Sequence, residues 1–227
     1  MRGFLAAIGL ALALGVLPVA APAAAPAAGP VVLLDPGHGG SDKGVQVPGF
    51  VESEFTLDLA KRLQALLLAQ GLGVQLTRTE DVDLSPSARV AMADALHPIA
   101  LVSLHANAAF QVSARGPRLF VPAAGPVDEP AAPLWDQASR LQAPASLALG
   151  QSLARALGIV GPHGVQTLKL AIFRGLDVPV CMVECEFATH PEGLKDLQNP
   201  AWRDALAHRL AAGIGAWAAT VGAAHAR

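Results

Sequence analysis

The sequence predicts an α/β fold: a single domain on a mixed, mostly parallel sheet of about six strands, with helices on both faces. Three observations carry this. Short, continuously apolar runs such as Val31–Asp35 and Val178–Glu184 end in polar residues, as strands covered on both sides do. Longer stretches with apolar residues at helical spacing alternate with them. The chain has 227 residues, enough for one sizeable domain and short for two.

The first segment stands apart from that domain. Arg2 is followed by the unbroken apolar run Phe4–Val16, then Pro18 and a tract of small residues, including Ala20, Ala21 and Ala23. The run is shorter than the roughly 20 residues a spanning helix needs. Residues 1–28 therefore read as a cleaved export signal, and residues 29–221 as the domain. No Cys directly follows the run to carry a lipid. Export places the protein in the periplasm or cell-wall space.

Within the domain, strands are expected at Val31–Asp35, Gly73–Arg78, Ile99–His105, Arg118–Val121, Lys169–Phe173 and Val178–Glu184. The first helix runs from Glu52 to Gln70, with Phe55, Leu59, Leu63, Leu66 and Leu67 on one face and Gly71 beyond its end. Ser85-Pro86 is a cap followed by a first-turn proline, opening a helix to about Leu96. A third helix covers Leu147–Leu157. Asn199-Pro200 repeats the cap-then-proline device before the stripe Trp202, Leu206, Leu210, Ile214 and Trp217. Residues 122–144, rich in Ala and Pro, read as a loop insertion with room for a short helix.

Charge narrows the function classes. The formal net charge is −2, too mild for nucleic acid or a polybasic membrane surface. Beyond the leader no stretch could span a membrane, so an integral membrane protein is excluded and a monomer is expected. Cys181 and Cys185 sit four apart in one strand, about 13 Å at ~3.3 Å per residue. A disulfide needs Cα atoms within roughly 7 Å, so two buried free thiols are expected.

Four residues stand where chemistry gathers in open α/β sheets, at the carboxyl ends of strands or the helix start beside them. His38 follows the first strand in Asp35-Pro36-Gly37-His38-Gly39-Gly40, and three glycines leave room for a ligand. A dinucleotide loop is a poor match, because Asp42 stands at the third glycine position. His105 ends another strand in Ser103-Leu104-His105-Ala106-Asn107. Glu52 opens the first helix, with Glu54 a rival two residues on. Glu184 ends a strand that is otherwise apolar, where a carboxylate needs a partner, a metal or a task. Two His and one Glu make a catalytic zinc set with a fourth position open, and a further carboxylate could move protons.

Taken in order, Asp-Pro-Gly-His-Gly-Gly, the helix-opening Glu, Thr-Arg, Ser-Leu-His-Ala-Asn and Pro-Val-Cys-Met-Val-Glu resemble the zinc-dependent N-acetylmuramoyl-L-alanine amidases of the third amidase class. The likeness covers about residues 31–218. It implies that His38, Glu52 and His105 bind one Zn2+ and that Glu184 is the catalytic base. It also separates the two early carboxylates. The family places Leu, Ala and Leu five, eight and eleven residues after the ligand, and Leu57, Ala60 and Leu63 meet that from Glu52. Asp35 and Asn107 become candidates for shaping the site from behind the ligands. The implied reaction cuts peptidoglycan between N-acetylmuramic acid and the L-alanine of the stem peptide.

The chain departs from the family after Glu184. Glu186 replaces a Gly, and His190 stands at an Asn-like position. Glu186 is expected to add a carboxylate near the site, and His190 to lie on the surface. Some family members carry a helical plug released by an activator protein, and residues 122–144 lie in that region. The alternatives are a zinc peptidase or deacylase on the same scaffold, or an inactive wall-binding or activator-binding protein.

Overall fold

The computed structural model describes residues 29–225, except 112, 125–133, 160 and 162–163. The expected export signal lies outside the described residues, as does much of the 122–144 insertion. The elements run in the order β1 (Val31–Pro36), β2 (Gln46–Val47), β3 (Phe50–Val51), α1 (Glu52–Ala69), β4 (Gly73–Leu76), α2 (Pro86–Leu96) and β5 (Ala100–Asn107). Then follow β6 (Arg118–Pro122), α3 (Leu134–Leu141), α4 (Ala143–Leu157), β7 (Val165–Leu168), a 3-10 turn at Ala171–Phe173, β8 (Val180–Phe187), α5 (Pro191–Gln198) and α6 (Pro200–His225).

Six strands form one sheet in the order β4-β1-β5-β8-β6-β7, and β2 and β3 form a separate small hairpin. Neighbours in the sheet are parallel except β6, which runs antiparallel to β8. The predicted class holds, with helices on both faces but unequally. On one face Val32, Leu34, Val102, Leu104, Cys181 and Val183 pack under α1, α4 and α6. On the other, among the described residues, Leu33, Leu101 and Val180 pack with Ala93 of α2, with Ile172 and Phe173 of the 3-10 turn, and with Leu176 and Val178 just after it.

Sequence periodicity explains the main helices. In α1 the residues Phe55, Leu59, Leu63 and Leu67 are all buried, and Glu52 and Glu54 lie in the first turn, where the helix dipole favours carboxylates. Ser85 caps α2 by accepting a hydrogen bond from the Ala88 N–H at 3.2 Å, with Pro86 in the first turn. In α6 the expected stripe is buried at Leu206, Leu210, Ile214 and Trp217.

Three expectations shift. The third helix starts four residues early, at Ala143, with α3 directly before it in the expected loop. The strand expected at Lys169–Phe173 lies instead at Val165–Leu168, and Ala171–Phe173 is a 3-10 turn. An edge strand needs few apolar residues, so its signal was the weaker one. The third change is α5, which the sequence reading did not anticipate. Its cap is His190, whose Nδ1 accepts from the Glu192 and Gly193 N–H groups. Cys181 and Cys185 are buried free thiols, as expected.

Candidate active site

Strand register builds the site in ranks. Leu33, Leu101 and Val180 are cross-strand partners on the thinly covered face. Two residues further on, side chains return to the same face. There Asp35, Ser103 and Met182 are partners, and one rank higher His105 pairs with Glu184. The apolar floor thus gives way to a polar layer and then to chemistry at the carboxyl edge. His38 follows β1, and Glu52 reaches the same edge from the first turn of α1.

These side chains converge. Glu52 Oε1 lies 3.1 Å from His38 Nε2 and 3.0 Å from His105 Nδ1. The two imidazole rings stand edge to face, 4.9 Å apart at 81°. Glu52 is itself held by the Ala106 N–H on Oε1 and the Val45 N–H on Oε2. Two glycines make the approach possible. A Cβ at Gly37 would lie 2.3 Å from the His105 ring, and one at Gly44 would lie 2.4 Å from Glu52 Oε2.

The electrostatics follow from this crowding. For Glu52, burial works to raise the pKa, but the hydrogen bonds with His105 and His38 hold it well below the usual carboxylate range. His38 is pushed up to about 9, chiefly by its hydrogen bond to Glu52, with Asp42 adding to it. Asp42 Oδ2 lies 2.8 Å from His38 Nδ1, which leaves Nε2 as the nitrogen facing Glu52. Glu184 differs. Burial raises its pKa, and its Oε2 is buried without a hydrogen-bond partner.

The donor set fits a metal ion. One atom each from His38, Glu52 and His105 lies within 4.8 Å of the others, a span that one ion with bonds of about 2.0–2.2 Å can bridge. Two imidazoles and a carboxylate suit zinc. The unsatisfied Glu184 oxygen beside His105 fits a group that handles protons. A crevice of about 240 Å³ opens beside both histidines, walled by Leu84, Pro86, Leu170, Ile172 and Met182.

The other expected residues stand further back. Asp35 touches none of the three metal-type side chains. It accepts from Thr77 Oγ1 at 2.6 Å and Ser103 Oγ at 2.7 Å, and pairs with Arg89. Asn107 Oδ1 accepts from the Ala108 N–H, at the start of the loop after β5. Glu186 does not join the crevice. Three steps along β8, from Glu184 to Phe187, match two along β5, from His105 to Asn107, so the strand bulges there. Glu186 then lines a cavity with Cys185 and the α6 residues Trp202 and Arg209. Its Oε1 accepts from the Gly116 and Phe187 N–H groups. Sequence reasoning gave no role to Asp42, Arg78 or Arg89. Only the Thr-Arg pair within the family pattern pointed toward Arg78.

A convergent His, Glu, His set at the carboxyl edge of such a sheet defines a class: the chain belongs to the N-acetylmuramoyl-L-alanine amidase family, whose pattern matches residues 32–216. Among individual proteins, it is 30 % identical over 223 residues to the N-acetylmuramoyl-L-alanine amidase Rv3717 of Mycobacterium tuberculosis, covering 86 % of this chain and 88 % of that one. It is 29 % identical over 215 residues to the amidase AmiC of Neisseria meningitidis, covering 81 % of this chain and 51 % of AmiC. The chain thus spans about half the length of AmiC. The CwlD amidase of Clostridioides difficile, solved in complex with the GerS lipoprotein, shares the fold at a TM-score of 0.72 and 20 % identity, over 84 % of this chain and 99 % of that one. The CwlV catalytic domain of Bacillus (Paenibacillus) polymyxa matches at 0.69 and 22 %, over 83 % and 97 %.

Proposed function

We propose that the protein is a zinc-dependent N-acetylmuramoyl-L-alanine amidase that hydrolyses the amide joining the lactyl group of N-acetylmuramic acid to L-alanine in peptidoglycan. The observation that carries this is the convergence of His38, Glu52 and His105 within 4.8 Å, with Glu184 beside them, in a chain of this family. His38, Glu52 and His105 would hold the zinc, which would supply Lewis acidity to the scissile carbonyl and to water. Glu184 takes a proton from the attacking water and delivers it to the leaving nitrogen. Its raised pKa brings it nearer the range where one group both accepts and returns a proton. Asp42 orients His38, keeping Nε2 toward the metal position. The crevice beside the two histidines offers the substrate both apolar and charged walls, among them Leu84 and Ile172, Asp35 and Arg89.

Export through residues 1–28 would bring the enzyme to its polymeric substrate in the periplasm or cell-wall space. Among the described residues no helix is long and apolar enough to cross a membrane. An activator protein is a further expectation, supported by the capture of CwlD with GerS.

The test is metal analysis of the purified protein, followed by digestion of isolated peptidoglycan with product masses read. Intact glycan with freed stem peptides that begin at L-alanine supports the amidase. Shortened peptides would instead indicate a peptidase. Glu184→Gln should retain zinc and lose roughly 10²–10⁴-fold in rate. Full activity in that variant would remove Glu184 from the mechanism.

A further inference from the structure

Three consecutive backbone carbonyls, those of Pro36, Gly37 and His38, are gripped by two buried arginines. The Pro36 carbonyl accepts from Arg78 Nε at 3.0 Å and Arg89 Nη1 at 2.8 Å. The Gly37 carbonyl accepts from Arg78 Nη2 at 2.9 Å and from Thr56 Oγ1 at 2.8 Å. The His38 carbonyl accepts from Arg89 Nη2 at 2.8 Å.

Arg78 does more. Its Nη2 also donates to the Ser53 carbonyl at 2.8 Å, next in sequence to Glu52. One guanidinium therefore ties the loop bearing His38 to the helix start bearing Glu52. Arg89, anchored by its ion pair with Asp35, holds the far side of the same loop.

The grip answers a specific need. His38 has φ +59°, a left-handed conformation that a residue with a Cβ adopts at a cost. Something must hold the turn there. Arg78 is only 3 % exposed, and its partners are the carbonyls of Pro36, Gly37, Ser53 and Glu80 and the Thr56 hydroxyl. Burying a cation on neutral acceptors is costly, and a planar fork of donors is the shape that can serve several carbonyls together.

We propose that Arg78 and Arg89 are positioning residues, a two-guanidinium clamp that fixes the backbone of His38 relative to Glu52 and so sets the metal site before the ion arrives. The proposal rests on the metal-site reading above. It gives Asp35 a role through Arg89 rather than through the ligands themselves.

The test compares Arg78→Lys and Arg89→Lys with wild type and with Leu153→Ala, a core variant in α4 away from the site. Zinc affinity is read by chelator competition on folded protein, and ligand geometry by the visible absorption of the Co2+-loaded form. Lysine keeps the charge but cannot fork between carbonyls. The clamp predicts affinity about 10-fold or more weaker and an altered Co2+ spectrum in each Lys variant. Leu153→Ala should lower the melting temperature while leaving both readouts at wild type. Lys variants with wild-type affinity and spectrum would overturn the clamp alone. The same loss of affinity in Leu153→Ala would reduce it to general destabilisation. If one Lys variant does not fold, the other decides. Wild-type protein that binds neither ion would remove the metal reading, and the clamp with it.

Discussion

At the scale of single residues, His38 carries the sharpest consequence. Its pKa in the metal-free protein is raised from 6.5 to about 9 by Glu52. A raised histidine stabilises the fold in full below its unfolded value, and that stabilisation is lost as pH rises through the folded one. Metal-stripped protein should therefore lose stability between about pH 6.5 and about pH 9. Melting curves of wild type and His38→Gln across that window should converge toward the alkaline end, and a gap independent of pH would refute the linkage. Zinc must displace the same proton, so its apparent affinity should rise over this range. The four principal site residues were legible because each stands at or near the carboxyl end of an apolar run or at a helix start, where a polar side chain is out of place, although β5 and β8 run on past His105 and Glu184 to Asn107 and Phe187. Arg78 and Arg89 were not, since an arginine after a strand or within a helix usually reads as surface. Only the burial of both shows otherwise.

At the scale of elements, capping and burial make two checkable statements. Ser85 secures the start of α2, the helix that carries Arg89. Ser85→Ala should cost about 1 kcal/mol in denaturant unfolding. Cys181 and Cys185 lie in β8 with no exposed surface, and burial raises both thiols. Both should resist thiol reagents in the native protein and react only on unfolding, and rapid native labelling would contradict that placement. The helices with long apolar periods were readable to within a few residues. α5 was missed because its cap is an imidazole, a residue type that does not advertise a helix start, and because only Gly193 and Leu197 are buried in it. β7 was displaced because an edge strand, paired only with β6, needs little apolar character.

At the scale of the whole molecule, metal binding and folding should be linked by mass action, because the ligands come from β5, the loop after β1, and α1. Zinc at 100 times its dissociation constant would add about 2.7 kcal/mol of stability. Chelation should lower the melting temperature of wild type by an amount that His105→Ala no longer shows. The sheet class was visible in the apolar runs, but its unequal cover was not. A strand buried on both faces has no alternation to say which side carries three helices and which one. Nor could spacing reveal the extra residue in β8. Glu184 and Glu186 are two apart, and in a flat strand their side chains would share a face. Such neighbours would titrate as a pair, holding one proton between them over a broad interval. The bulge sends Glu186 to the Gly116 and Phe187 amides instead. Glu184 is thus left to answer to burial and to the charges of His105, Glu52 and His38, with no second β8 carboxylate on its face, and Glu186→Gln should leave the acidic limb of a pH–rate profile in place.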